Sequence, residues 1–173
     1  MIAEIPVNIL RFIVLLLAQV LIFSHITFSP LVNCYVFPLF VLLLPFETPR
    51  WLLMLIGMFS GLALDVFLGS TGMHAATGLM LGYLRPLLIN VITPKGTEFE
   101  ISPNIHAQGL AWFLIYTGVA TFIYLLFYFL VEAATFYNLF WLTVKTILSL
   151  ATSVMFMLIF LFLFSARKKR RFV

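Results

Sequence analysis

The residues of this chain that could do chemistry within an apolar phase are Asp65, Arg85, Lys145 and three histidines, His25, His74 and His106. Hydrolysis or acyl transfer would need them in fixed company: a serine or water beside a base, two facing carboxylates, or histidines spaced to share a metal ion. The sequence has no HExxH, no GxSxG, no pair of intramembrane aspartates and no nucleotide-binding glycine loop. The histidines stand singly at turns or helix ends, where interfacial polar residues are commoner than ligands. Cys34 is the single cysteine, so it cannot form an internal disulfide. The expectation is a protein without catalytic residues, metal, cofactor, small-molecule substrate or nucleic-acid partner.

Asp65 is the polar residue that most needs an explanation. It lies 15 residues beyond Arg50, roughly 22 Å along a helix, which places it in the outer half of a hydrocarbon layer. A charge there costs about 2.5–3.5 kcal/mol on insertion scales, so it should be paired, protonated or functional. Lys145 is the expected partner, entering from the same outer side; contact with another membrane protein and a proton or ion relay are the alternatives. Arg85 falls near the opposite boundary, where its long stem would let the guanidinium snorkel to water.

Small residues recur around these charges. Gly57, Gly61, Asp65 and Gly69 are spaced by four, as are His74, Gly78, Gly82 and Pro86, so each set shares one helical face. Such faces let helix backbones approach closely where lipid supplies no hydrophobic drive. The two faces should pack against each other or a neighbour, with a partner surface as the alternative.

The elements that must hold these residues follow from composition. Of the 173 residues 64% are hydrophobic and 9% charged, with a mean hydropathy of +1.16, more apolar surface than a soluble domain of this length can bury. Runs such as Met155 to Phe164 are apolar around the whole helix. Spans are expected over 8–28, 31–44, 50–68, 73–92, 109–131 and 139–165, making one all-α polytopic bundle of about six transmembrane helices. The second, short and interrupted by Pro38, is kinked, tilted or part of a re-entrant element. The loop from Thr93 to Gln108 is the expected docking loop, and 166–173 forms a basic tail.

Arg11, Arg50, Arg85, Lys95 and the tail residues Arg167, Lys168, Lys169, Arg170 and Arg171 all fall on the face shared by the two termini, whereas the opposite turns carry no lysine or arginine. The positive-inside rule then makes both termini cytoplasmic. The tail is a topology anchor that could also hold anionic membrane lipids.

The order of short motifs resembles the rod shape-determining protein MreD family, in the form found in Bacteroidota. The residues are Leu42-Leu43-Leu44-Pro45, Thr48-Pro49-Arg50-Trp51, Gly57-x3-Gly61-Leu62-x2-Asp65, Gly72-Met73-His74-Ala75-Ala76, Leu84-Arg85-Pro86 and Pro94-Lys95-Gly96. The resemblance implies a multi-pass protein of the bacterial inner membrane, a non-enzymatic scaffold of the elongation complex that directs peptidoglycan synthesis and rod cell shape. It implies MreC as partner, with MreB and the RodA-transpeptidase synthase as further ones, and the glycine faces with Arg50, Asp65, Arg85 and Lys145 as binding or structural positions. It also implies a fold similar to the substrate-binding S-components of energy-coupling-factor transporters, which supplies the alternative function of a small-solute-binding transporter subunit.

Overall fold

The computed structural model describes residues 5–24, 32–93, 103, 108–133 and 139–166. His25, His106, Lys95 with most of the expected docking loop, and the tail basic residues 167–171 lie outside the described residues. Helix α1, Ile5–Leu17, continues through a π-helical turn, Ala18–Phe23. The short helix α2, Pro38–Leu42, is followed by α3, Arg50–Leu68, and α4, Met73–Ile92. Then come α5, Leu110–Ala133, and α6, Leu139–Ala166. The described residues contain no β-strand, and five helical stretches are long and apolar enough to cross a membrane. The molecule is an all-α polytopic membrane bundle.

The expected span over 31–44 is not a membrane-length helix: only Pro38–Leu42 is α-helical. Pro38 occupies the first turn, the place where its missing N–H costs nothing, and the helix cannot be extended back through it without losing a backbone bond. Upstream the backbone is irregular. Non-helical backbone is tolerated at membrane depth only where protein satisfies its polar groups, and neighbouring side chains do so here. Gln19 Oε1 accepts from the Val36 and Phe37 N–H groups at 2.8 and 3.3 Å, and its amide donates to the Cys34 carbonyl at 2.9 Å. From α6, the Ser149 hydroxyl accepts the Asn33 N–H at 3.0 Å and the Ser153 hydroxyl the Tyr35 N–H at 2.9 Å.

The irregular segment still carries the chain back along the bundle. It runs antiparallel to α1, with Gln19 on residues 34–37 and Phe12 against Phe40 at a ring separation of 5.1 Å. On α4, Tyr35 lies beside His74, and Leu42 to Pro45 lie beside Arg85. The end of the bundle carrying Ile5 and Arg50 is its lower end. The α5 and α6 helices are antiparallel in one register, since Glu132 meets Lys145 and Thr121 meets Met157. That register returns Ala166 to the lower end.

Helices α3 and α4 form the tightest hairpin. Gly69, at φ +66°, ends α3 in the left-handed conformation, and Gly72, at φ +80°, opens α4. Down the hairpin the two glycine faces meet: a Cβ on Gly57 would lie 2.2 Å from the Gly78 oxygen, and one on Gly82 2.4 Å from the Leu53 oxygen. The small residues permit backbone-to-backbone contact over most of both helices.

Candidate functional site

Besides Gln19, Ser149 and Ser153, the described residues place two polar clusters in the interior, each built on a charged side chain, one near each end. The upper cluster is built on the α3–α4 turn. Asp65 is almost wholly buried and reaches across to the first turn of α4. Its Oδ2 accepts the Ala75 N–H at 2.9 Å, while Oδ1 accepts the His74 N–H at 3.1 Å, meets His74 Nδ1 at 2.8 Å and takes the Ser70 hydroxyl proton. The α4 N-cap residue, Gly72, has no side chain to satisfy the orphan N–H groups, so Asp65 supplies the cap from the preceding helix. The carboxylate also faces the positive end of the α4 dipole.

This geometry overturns the expected Asp65–Lys145 pair. Lys145 instead bonds Glu132 at 2.7 Å and lies 4.4 Å from the centre of the Phe129 ring. Glu132 is the next-to-last residue of α5 and Lys145 lies six residues past the start of α6, which brings them together at the rim of the bundle, while Asp65 is held by groups from its own hairpin. Lys145→Ala is therefore expected to cost less than about 1 kcal/mol, the scale of a partly exposed ion pair. Asp65→Asn removes one of two carboxylate acceptors and turns a donor toward backbone N–H groups. It should cost about 2 kcal/mol, from one lost charge-assisted bond and one unsatisfied donor. Both values can be read from equilibrium unfolding in mixed micelles with increasing sodium dodecyl sulfate, using tryptophan fluorescence.

Asp65, His74 and Ser70 are the residue types of a hydrolytic triad, but their arrangement is different. In a triad the carboxylate and the nucleophile address opposite ring nitrogens. Here both lie on Nδ1, Ser70 Oγ at 3.2 Å and Asp65 Oδ1 at 2.8 Å, and Nε2 is buried with no hydrogen-bond partner among the described residues. Tyr128 and Tyr35 rings flank the imidazole at 4.7 and 5.8 Å. Ser70 donates to the carboxylate and so serves the cap.

The lower cluster is built on Arg85. The guanidinium does not snorkel: Arg85 is 1% exposed, among the largest fully buried side chains. The burial has a physical cause in the chain leaving α2: the carbonyl of its last residue, Leu42, and those of Leu44 and Pro45 just beyond it point at the guanidinium. Arg85 donates through Nη1 to the Pro45 oxygen at 3.3 Å, through Nη2 to the Leu42 oxygen at 3.4 Å and to the Leu44 oxygen, and through Nε to the Tyr116 hydroxyl at 3.0 Å. Tyr116 in turn donates to the Leu42 oxygen at 3.1 Å. A planar fork of donors matches this spread of acceptors, and a cation at a helix C-terminus is favoured by the dipole.

Of the other expected site residues, Gly57, Gly61, Gly78 and Gly82 are consumed in the α3–α4 contact, and Arg50 is exposed at the first residue of α3. Sequence reasoning passed over Gln19, Ser149, Ser153 and Tyr116. Their signal was a polar group recurring in otherwise apolar runs, which in a membrane helix marks the side turned toward protein. Among the described residues no three His, Cys, Asp or Glu side chains gather to hold a metal ion.

The class these features define is a multi-pass membrane protein whose bundle encloses an irregular, side-chain-supported segment. No family model, curated protein or solved structure matches the chain.

Proposed function

We propose that the protein is a non-enzymatic membrane scaffold of the kind that its resemblance to the MreD family implies, holding MreC and the RodA-transpeptidase synthase in place during wall elongation. The observation that supports this reading is where the interior polar groups spend their bonds. Gln19, Ser149, Ser153, Arg85 and Tyr116 all address the backbone of residues 33–45, and Asp65 with Ser70 addresses the start of α4. Groups used this way stiffen a frame. A solute-binding subunit would turn convergent polar groups toward a cavity.

The working surface of such a scaffold is its outside. The glycine faces of α3 and α4 touch each other, so a partner helix could reach them only by separating the hairpin. Partner contacts then fall on outer helix faces and on the polar loop 93–108. Arg11 and Arg50 stand near the lower end, and the basic tail follows α6, which finishes there. The positive-inside rule assigns that end, and both termini, to the cytoplasm of a bacterial inner membrane.

Co-purification of the tagged protein in mild detergent tests the reading. Recovery of MreC and the synthase, reduced by a tryptophan at an outward position such as Val66 (78% exposed) or Phe140 (74% exposed), is the expected result. Recovery of an energy-coupling module in place of MreC would replace the scaffold by the transporter-subunit function.

A further inference from the structure

Because α2 is only five residues long, α1 and α3 are left without a full-length helix between them. The result is an open groove of about 580 Å³. Its walls are α1, through Ile9 and Phe12, and α3, through Leu55 and Phe59; Phe40 and Leu44 form its floor. In a bilayer such a groove does not stay empty, since its lining would forfeit dispersion contacts on one side.

A partner helix and a lipid chain are the two candidate occupants, and the lining decides between them. Helices associate in lipid through small residues that admit close backbone approach and through hydrogen bonds between helices. Here the walls are bulky. The polar side chains of the groove are already engaged: the Ser60 hydroxyl donates to the Gly57 oxygen at 3.0 Å, the Thr48 hydroxyl to the Pro45 oxygen at 2.9 Å, and Asn8 Oδ1 accepts from Arg11. Flexible hydrocarbon fills an irregular apolar trough without needing either device.

The lower mouth of the groove selects the headgroup. Arg11 turns back toward the N-terminus of α1 and donates to Asn8 at 3.1 Å, which brings its charge to the rim. Arg50 and Glu47, of opposite charge, are both exposed on the same end, at and just before the start of α3. We infer that the α1–α3 groove binds one acyl chain of an anionic phospholipid, with the phosphate at the Asn8–Arg11 rim.

The test is native mass spectrometry of the full chain released from nanodiscs containing equal palmitoyl-oleoyl phosphatidylglycerol and phosphatidylethanolamine. One retained phosphatidylglycerol is expected, preferred about fivefold, the fold-change equivalent to roughly 1 kcal/mol for a basic residue near the membrane surface. Arg11→Gln should bring the preference to near unity, and Ile9→Trp, at a position already 55% exposed, should plug the groove and remove the retained lipid. Ile147→Trp, exposed on α6, which contributes no residue to the groove, should leave it. In the wild-type protein a phosphatidylglycerol with a photoactivatable acyl chain should label the peptide containing Leu55 and Phe59. Equal retention of the two lipids, retention surviving Ile9→Trp, or labelling confined to other helices would overturn the site. So would a protein helix trapped in the groove by cysteine cross-linking from Ile9→Cys.

Discussion

Gly61→Ala protein is expected to lose the α3–α4 hairpin, the largest effect of a glycine-to-alanine change among the described residues. A Cβ at Gly61 would lie 2.2 Å from the His74 oxygen, 2.5 Å from the His74 carbonyl carbon and 2.7 Å from the Ala75 Cα. All three are backbone atoms, so no rotamer change relieves the overlap and the helices must move apart. Overpacking a well-fitted interior costs about 1–3 kcal/mol when side chains can adjust, and more when they cannot. The gain of up to about 1 kcal/mol in helix propensity from Gly to Ala does not offset it. The damage spreads to the cap, because the His74 and Ala75 N–H groups that Asp65 accepts are carried on the backbone that is pushed away. The expected loss is at least about 3 kcal/mol in the detergent unfolding equilibrium. Gly118→Ala is the contrast: a Cβ there meets nothing within 4 Å, so the substitution should be neutral or stabilising by up to about 1 kcal/mol. Equal unfolding midpoints for the two variants would mean that the helices do not make the close contact described.

The difference between these glycines shows what a sequence can carry. Gly57, Gly61, Gly78 and Gly82 announce themselves by fours on consecutive helices, and a face of small residues has few uses in lipid other than close packing. The ends of α3 and α4 were equally legible, since Pro49 and the Gly69 and Gly72 turn punctuate a periodic apolar pattern. What could not be read was long-range pairing. Asp65 and Lys145 are opposite charges on the same side of the bundle, and sequence reasoning joins such charges by default. The carboxylate is satisfied instead by N–H groups only nine and ten residues ahead, which appear in no charge count. Arg85 misled for the same reason: its partners are the carbonyls of Leu42, Leu44 and Pro45, invisible in side-chain chemistry. Reading residues 31–44 as a span captured its apolarity and direction. The helix itself was lost to Pro38 and to side-chain acceptors on Gln19, Ser149 and Ser153, which make an irregular backbone sustainable.

Arg85→Met is expected to release α2 from the bundle. The substitution conserves much of the apolar stem but removes the donor from the Leu44 carbonyl, and leaves Leu42 with Tyr116 and Pro45 with Thr48. Each lost bond to a charged donor is worth about 1.5–3 kcal/mol. They do not add, because burying the guanidinium itself carries a desolvation cost that methionine avoids. A net loss of about 3 kcal/mol follows, the scale of one lost charge-assisted bond together with one buried carbonyl left unsatisfied. Arg85→Lys separates charge from shape: an ammonium keeps the favourable interaction with the α2 dipole but is a single point that cannot span acceptors on both Pro45 and Tyr116. It should therefore recover less than half of the loss. A cycle with Tyr116→Phe sharpens the test, since Arg85 Nε and Tyr116 bond each other at 3.0 Å and should show a coupling of about 1 kcal/mol. Full recovery by lysine, with no coupling to Tyr116, would mean that charge alone holds α2. The fork geometry would then be incidental to how the irregular segment is kept inside the membrane.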